Sequence, residues 1–452
     1  MKRILLLGLP ISFALVTGLV FVTLVSADSP APGGPFSTAF RVQNIDLSTA
    51  TCTYVFYNGS GVSVFTGSPA TIAIGDSMYV YTGDSATFGS LPSGMYSGVV
   101  SCDKQVAAVV NFSDPDSGAS HSGITTPSLT WYAPGIYDNF YSYYSTLIVQ
   151  NTTASAITIT VDIYASGAAV PTKTQTQTNV PANASVSFEQ EGLAELLDNV
   201  AYSAKITGTG NIAPIADIYG RGGANNQLYS YNPFSAGSTK AYAPIIMNNY
   251  YGNNTSLIVQ NIGSATTTIT VTYGTGQIYT QSLASNSAAS LYTPSSGVPS
   301  GSLTSATVSS STQPIVVVIN ESNPYNRAAS YEGFPPTSST KVRAPIVMRR
   351  YYNYNTSTVC QNISTTSTAT TMTIQYTGSG ASGSTFTSPS VAAGATYQFY
   401  QPADSLIPDG FIGAATITAT QPIVCVVNED QNEGAAGTTI WDQQYAYDGI
   451  NN

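Results

Sequence analysis

The tripeptide Val-Gln-Asn recurs along this chain at nearly equal spacing. Its copies end at Asn44, Asn151 and Asn261, and a fourth copy, Cys-Gln-Asn, ends at Asn362. A second phrase follows each copy and ends at Asn111, Asp217, Asn320 and Asn428. Self-similarity at a long fixed period indicates tandem copies of one structural unit. The chain must therefore fold as about four similar modules, each small enough to complete its own core.

The repeats set the expected domain boundaries. After an N-terminal segment of residues 1–27, the modules cover residues 28–129, 130–239, 240–340 and 341–452. The junctions at residues 235–239 and 335–340 are rich in serine and threonine, as short linkers often are.

Alternation with a period of two dominates inside the modules. Ile157, Ile159, Val161 and Ile163 alternate with polar residues, which predicts a half-buried strand. The third module shows seven such candidates, near residues 255–261, 267–273, 277–282, 288–292, 303–309, 315–320 and 328–331. Seven short strands separated by turn residues favour a Greek-key sandwich of immunoglobulin-like type. The predicted fold is all-β, a tandem array of about four immunoglobulin-like β-sandwich modules after an N-terminal signal segment.

The N-terminus has the pattern of a secretory signal. Lys2 and Arg3 precede an apolar run from Ile4 to Val25, and Val25-Ser26-Ala27 provides small residues for cleavage. We expect cleavage after Ala27 and an extracellular or cell-surface protein with no membrane span. An uncleaved run of this length could instead cross a bilayer.

The four cysteines suit an oxidising compartment and allow three pairings. Cys52 and Cys102 belong to the first module, and Cys360 and Cys425 belong to the fourth. Cys52 and Cys102 also share the inward phase of their strands. We therefore predict the disulfides Cys52–Cys102 and Cys360–Cys425.

The charge balance excludes one class of partner. Only 8% of the residues are charged and the net charge is −10. Nucleic-acid binding needs cations that displace phosphate counterions, so no nucleic-acid partner is expected.

The sequence lacks the usual parts of a catalytic site. The single histidine, His121, stands where the other modules have a closing tyrosine, so Ser-His, Cys-His and zinc chemistry lack their partners. Two carboxylate clusters could hydrolyse glycosides, but neither recurs in all modules, so both are expected in solvated loops. They are Glu189, Glu191 and Glu195, and Glu429, Asp430 and Glu433.

Cofactors are not expected, with one weak candidate for calcium. Asp114 and Asp116 lie in the loop Asp-Pro-Asp-Ser-Gly, and calcium prefers loop carboxylates and carbonyls.

Tyrosines cluster near the start of the later modules. The candidates for contact are Tyr137, Tyr141, Tyr143, Tyr144, Tyr250, Tyr251, Tyr351, Tyr352 and Tyr354. Tyrosine combines an apolar ring with a polar tip, which suits module junctions, interfaces with other molecules and the faces of sugars. All three uses remain open at this level.

With its signal segment and Val-Gln-Asn modules, the chain resembles bacterial cell-surface proteins built from tandem immunoglobulin-like repeats. The resemblance implies a non-enzymatic structural or adhesive role in a surface layer, sheath, filament or stalk. Expected partners are other copies of the chain or other cell-envelope proteins. The alternative is a carbohydrate-binding surface protein that uses the tyrosine-rich loops on surface glycans, and a third candidate is a secreted glycan-active enzyme.

Overall fold

The structure is a computed structural model. It describes residues 36–221, 227–323, 327–381, 383–431 and 444–451, together with the backbone of residues 19–24. The predicted signal peptide, residues 1–27, otherwise lies outside the described residues. The backbone of its residues Leu19–Leu24 forms a strand, β1, on the first module.

The first module consists of two antiparallel sheets. Its elements are β1 (Leu19–Leu24), β2 (Ser37–Asn44), β3 (Ala50–Tyr57), β4 (Ser63–Thr66), β5 (Ala70–Ile72), β6 (Ser77–Tyr81), α1 (Ser85–Phe88), β7 (Tyr96–Cys102), β8 (Val106–Ser113) and β9 (Gly118–Ser122). One sheet has the order β1-β7-β3-β4, with β5 also on β3, and the other has the order β6-β2-β8-β9.

In the second module one long strand replaces two strands and joins all seven strands into a single sheet. Its strands are β10 (Ser128–Tyr137), β11 (Tyr143–Asn151), β12 (Ile157–Ala165), β13 (Lys173–Val180), β14 (Ser185–Glu189), β15 (Ala201–Gly220) and β16 (Leu228–Tyr231). The first half of β15 pairs with β10 and β12, and the second half pairs with β11 and β16.

The third and fourth modules repeat the two-sheet plan. The third contains β17 (Lys240–Asn248), β18 (Asn254–Asn261), β19 (Thr267–Tyr273), β20 (Ile278–Leu283), β21 (Ala288–Tyr292), a 3-10 turn (Thr293–Ser295), β22 (Ser302–Ser310), β23 (Ile315–Ser322) and β24 (Ala328–Glu332). The fourth contains β25 (Lys341–Arg349), β26 (Tyr354–Asn362), β27 (Met372–Thr377), β28 (Thr385–Thr387), β29 (Thr396–Tyr400), a 3-10 turn (Gln401–Ala403), β30 (Phe411–Ala419), β31 (Ile423–Gln431), β32 (Gln444–Asp448) and β33 (Ile450–Asn451).

The all-β class predicted from the sequence is confirmed, but the strand order differs from the immunoglobulin order. In the third module the sheets run β17-β22-β19-β20 and β21-β18-β23-β24, so the first and second strands lie in different sheets. In an immunoglobulin sandwich these two strands are neighbours in one sheet. The common element is thus an antiparallel β module whose strand order differs from that of an immunoglobulin domain.

The sequence interpretation missed one strand in the third module, β17. The other seven lie within two residues of their predicted bounds. β17 contains Ala243-Pro244, and proline cannot donate to a strand ladder, so the segment resembled a connection. The ladder between β17 and β22 is irregular between Ala243 and Ile246, which accommodates the proline.

The asparagine of each Val-Gln-Asn phrase connects its strand to a neighbouring loop. Asn261 is buried, and its side-chain amide donates to the carbonyls of Ala265 and Leu283 at 2.8 and 3.1 Å. Its oxygen accepts from the backbone N–H of Gly263 at 2.9 Å. The asparagines of the other modules repeat this scheme, with partners from their own loops: Asn44, Asn151 and Asn362. A buried side chain that both donates and accepts explains the recurrence of asparagine.

The modules are successive in sequence but form a closed ring in space. The closing strand of each module contacts that of the next, in the order β9, β16, β24 and β32, and β32 then contacts β9. At the closure, Ser120 Oγ donates to the carbonyl of Ala446 at 2.5 Å. The glutamine of the repeated phrase also joins adjacent modules. Gln260 Nε2 donates a hydrogen bond to the carbonyl of Ala204 in the preceding module at 3.3 Å. The predicted array is therefore not an open string of modules.

Both disulfides join the cysteines paired in the sequence interpretation, but at different positions in the module. Cys52–Cys102 connects β3 to β7, whereas Cys360–Cys425 connects β26 to β31 in the other sheet. The place of Cys360 and Cys425 is taken in the third module by the paired residues Val259 and Val317.

Candidate functional site

The tyrosine-rich loops of the second, third and fourth modules form the same tight hairpin. Backbone bridges close the loops between Phe140 and Tyr143, between Tyr250 and Asn253, and between Tyr351 and Tyr354. The first tip residue of each hairpin is a tyrosine with positive φ: Tyr141 at 50°, Tyr251 at 48° and Tyr352 at 48°. The second tip residue, a serine, glycine or asparagine, also has positive φ, as a mirror-type hairpin turn requires.

The three tip rings are exposed, although tyrosine is unfavourable in this conformation. Tyr141, Tyr251 and Tyr352 are 69%, 85% and 79% exposed. A left-handed backbone costs a residue with a Cβ roughly 1–2 kcal/mol. Strained residues tend to occur at binding sites, so these tips are candidates for contact with another molecule.

The remaining predicted tyrosines lie at the hairpin bases. Tyr137 is buried and stacks on Phe140 at 4.8 Å, while Tyr143 and Tyr144 are partly buried. Tyr250 donates to Gln398 of the next module at 3.3 Å. Tyr351 and Tyr354 line a cavity between the fourth and first modules. The bases thus lie in cores and at junctions, and the tips lie at the surface.

This division predicts that substitution of Tyr141 changes the stability of the protein little, whereas substitution of Tyr137 reduces it strongly. Tyr141→Gly should change the free energy of unfolding by less than about 1 kcal/mol, because the exposed ring contributes little packing and glycine relieves the backbone. Tyr137→Ala should cost about 3–5 kcal/mol, as expected for a buried aromatic ring. Thermal unfolding of the two variants tests the assignment, and equal losses in both would contradict it.

The cavity at the closure of the ring has a volume of about 200 Å³. The first module contributes strands β2, β6 and β8 to it, and the fourth contributes its tyrosine hairpin and β31. Its walls carry aromatic rings and a few polar groups, chiefly Arg41, Tyr79, Asn111, Tyr351, Tyr354 and Glu429. The cavity is partly open to solvent, and a concave surface with aromatic walls and few convergent polar groups is typical of a small-ligand site.

Arg41 and Glu429 bring opposite ionisable groups to this cavity without a direct ion pair. Arg41 donates to Ser77 Oγ at 3.1 Å, and its guanidinium lies 5.5 Å from the ring of Tyr79. Burial lowers the pKa of Arg41, yet a guanidinium remains charged at neutral pH. Glu429 is 1% exposed and accepts from Asn111 Nδ2 at 3.1 Å. Burial raises the pKa of Glu429 to about 8, so this carboxyl is largely protonated at neutral pH.

Glu429 corrects the expectation that its cluster is solvated. The strand register places it opposite Tyr445 at the ring closure, where the first module covers it. Glu433 lies outside the described residues. In the other cluster, Glu191 pairs with Arg221 at 2.7 Å and Glu195 pairs with Lys173 at 2.6 Å.

Of the two aspartates predicted to bind calcium, Asp114 has its carboxylate engaged in hydrogen bonds within a turn. Asp114 Oδ1 accepts from the backbone N–H groups of Asp116 and Ser117 at 2.8 and 2.6 Å, which closes the connection between β8 and β9. Within the described ranges no group of three or more acidic, histidine or cysteine side chains is placed to hold a metal ion.

His121 occupies a core position. Tyr231, Tyr331 and Tyr447 take the equivalent place in the other modules, and each donates its hydroxyl to a carbonyl of its module's first strand. His121 is buried, with Nδ1 3.1 Å from the carbonyl of Ser122. This placement is that of a packing residue in the first module.

Comparison with known proteins adds little. No family model and no curated protein matches the chain. Among solved structures, the crystal structure of Thermotoga maritima 1070 is 19% identical with a TM-score of 0.20, and the match covers 22% of this chain and 96% of that chain. A similarity this low carries no inference about fold or function. In the part of the chain that the structure describes, no helix is long and apolar enough to cross a membrane.

Proposed function

We propose that this chain is a secreted, non-enzymatic adhesive protein of the cell surface, which contacts its partners through the three tyrosine tips. The main observation in support of this proposal is that Tyr141, Tyr251 and Tyr352 are exposed in a strained backbone conformation at equivalent places in three modules. Three separate loops share this unfavourable arrangement, which contributes little to any core. A role in contact with another molecule accounts for this cost.

The ring relates the three tips to one another. Successive modules meet through equivalent strands, which is the contact pattern expected of modules related by an approximate rotation about one axis. Under such a rotation, equivalent hairpins lie at the same height along the axis. A surface that engages all three tips at once gains avidity over a single contact.

The two disulfides support an extracellular location for this adhesive ring. Disulfides persist in oxidising environments such as the cell surface, and they are rare in the cytosol. The predicted signal segment is consistent with this location.

Removal of the three tip rings tests the proposal. The variant Tyr141→Ser/Tyr251→Ser/Tyr352→Ser should fold normally but lose self-assembly seen by electron microscopy, or lose co-sedimentation with cellulose, chitin or peptidoglycan sacculi. The matched variant with three Tyr→Phe changes keeps the rings and should retain most of the binding. A serine variant that assembles or sediments like the unmodified protein would refute the role of the tips, as would an unmodified protein that does neither.

A further inference from the structure

We call the contact surface between two adjacent modules of the ring a seam. Three of the four seams have the same construction. The residue before each Val-Gln-Asn phrase is apolar in the later modules, and it packs against the preceding module. Ile148 belongs to a buried cluster with Phe36 and Phe112 of the first module, Ile258 joins the core of the second, and Val359 joins the core of the third. A serine hydrogen bond accompanies each seam, at distances of 2.5–2.7 Å, from Ser97, Ser203 and Ser305.

The seam that closes the ring departs from this plan at each of these positions. Arg41 stands where the other modules have Ile148, Ile258 and Val359. Its cross-strand neighbour is Tyr79, whereas the equivalent neighbours are serine or glutamine. The equivalent of the seam serine is Ala414. The cavity of about 200 Å³ lies at this seam, partly open to solvent.

The polar groups around this cavity are incompletely satisfied. Among the described residues, no acidic oxygen lies within 4.0 Å of the Arg41 guanidinium. Glu429 Oε1 and Asn111 Oδ1 are buried and have no hydrogen-bond partner in the described part of the chain. Buried polar atoms without partners each cost on the order of 1–3 kcal/mol. The same pair of unsatisfied oxygens, Glu321 Oε1 and Asn428 Oδ1, occurs at the junction of the third and fourth modules, so the distinctive group here is Arg41. A ligand that supplied an anion would give the Arg41 guanidinium an acidic partner.

We propose that the closing seam binds an acidic monosaccharide, a pyranose ring that carries a carboxylate, as in a uronic acid. The carboxylate fits the planar fork of Arg41, which can bind it through two parallel hydrogen bonds. The tyrosine rings of the walls suit the apolar face of the sugar ring. Asn111 and Glu429 add polar side chains to the same wall.

The size of the cavity and its aromatic walls narrow the ligand class. Pockets for drug-sized ligands usually have roughly 300–1,000 Å³, so this smaller space suits one sugar ring. An inorganic anion such as phosphate would satisfy Arg41 but leave the walls uncovered. A neutral hexose would cover the walls but leave Arg41 unpaired.

This site overlaps the proposed adhesive surface at one tip, Tyr352, and is otherwise distinct from it. Adhesion requires exposed rings on three modules, whereas the sugar requires one seam. Tyr352 borders the cavity as well as forming a tip, so only Tyr141 and Tyr251 serve as tips independent of it.

Calorimetric titration of the intact protein with sodium glucuronate, glucose and inorganic phosphate tests the proposal. Glucuronate should bind at least about tenfold more tightly than glucose or phosphate. Glucose lacks the carboxylate for Arg41, and phosphate lacks the sugar ring that covers the aromatic walls. Sodium polygalacturonate, with dextran as the neutral control, shows whether the site also accepts the sugar within a polymer. Comparable binding of glucose and glucuronate, tighter binding of phosphate or no binding of glucuronate would overturn the proposal.

Arg41→Ile gives a matched variant, because it installs the side chain that the other seams already use. It should preserve thermal stability and weaken glucuronate binding about tenfold or more. The double variant Tyr141→Ser/Tyr251→Ser should bind glucuronate normally even where it loses adhesion, which separates this site from the adhesive role. Unchanged glucuronate binding by a folded Arg41→Ile protein would overturn the assignment.

Discussion

The protein should lose stability as the pH rises from about 5 to 9. Three buried carboxyls, two of them at junctions between modules, dominate this expectation. Burial raises the pKa of Asp217 to about 7 and the pKa values of Glu321 and Glu429 to about 8. Glu321 accepts hydrogen bonds from Asn428 at 2.6 Å and Gln444 at 3.2 Å, but these bonds only partly offset the effect of burial.

The direction of the change follows from proton binding. In the unfolded chain these carboxyls titrate near pH 4, whereas in the folded ring they hold their protons up to pH 7–8. Between these values the folded state binds more protons than the unfolded state, so the free energy of unfolding decreases as the pH rises. Each pKa unit corresponds to about 1.4 kcal/mol, so the loss should amount to several kcal/mol once water penetration is allowed for.

A second carboxyl pair near the axis of the ring acts in the same direction. Glu332 and Asp448 occupy equivalent places in the closing strands β24 and β32. Burial raises the pKa of both groups, and their proximity further raises the pKa of Asp448. Two neighbouring carboxyls of this kind hold one proton between them, and its removal at high pH leaves two like charges in the ring.

Calorimetric melting across pH 4.5–9 measures this effect. The melting temperature should be highest at the acidic end and fall steadily above pH 6. Glu321→Gln supplies the control, because it retains an oxygen acceptor for Asn428 and Gln444 but cannot ionise. Its melting temperature should depend less steeply on pH than that of the unmodified protein. A flat or rising profile above pH 6 would show that these carboxyls are ionised in the folded ring.

The local structure could largely be predicted from the sequence, because the alternation of apolar and polar residues in each strand shows which face is buried. In β19, Ile269, Val271 and Tyr273 are buried and alternate with polar residues, as the period-two pattern predicts. The pairing of Cys360 with Cys425 likewise followed from their membership of one module. Repeats and alternation report packing within a module, and the structure agrees with them there.

The closure of the ring and its cavity could not be predicted from the sequence in this way. The angle between modules depends on weak contacts such as that from Gln260 to Ala204, which leave no periodic signal. Glu429 was expected in a solvated loop because its carboxylate cluster does not recur in all modules. Only the fold shows that the first module covers it. Arg41 did leave a signal, since a charged residue interrupts a position that is apolar in the other three modules, but its meaning depends on knowing that this position lies at a seam.

Loss of the Cys360–Cys425 disulfide should destabilise the fourth module by about 4 kcal/mol. The bond closes a loop with a sequence separation of 65, and chain-entropy reasoning gives about 4 kcal/mol for a loop of that length. The best variant is Cys360→Val/Cys425→Val, because valines already fill this pair of positions at Val259 and Val317 in the third module. Packing is then nearly preserved, and the measured loss comes mainly from the missing cross-link.

The reverse exchange separates the cross-link from the packing. Val259→Cys/Val317→Cys introduces the same bond between the same strands of the third module, and it should raise the stability of that module by a similar amount. Calorimetry of both variants, with and without reductant, gives the comparison. If the valine pair leaves the melting profile of the protein unchanged, the ring contacts must hold the fourth module folded by themselves. The disulfide would then contribute little to stability, because neighbouring modules would already restrict the unfolded segment as strongly as the covalent bond does.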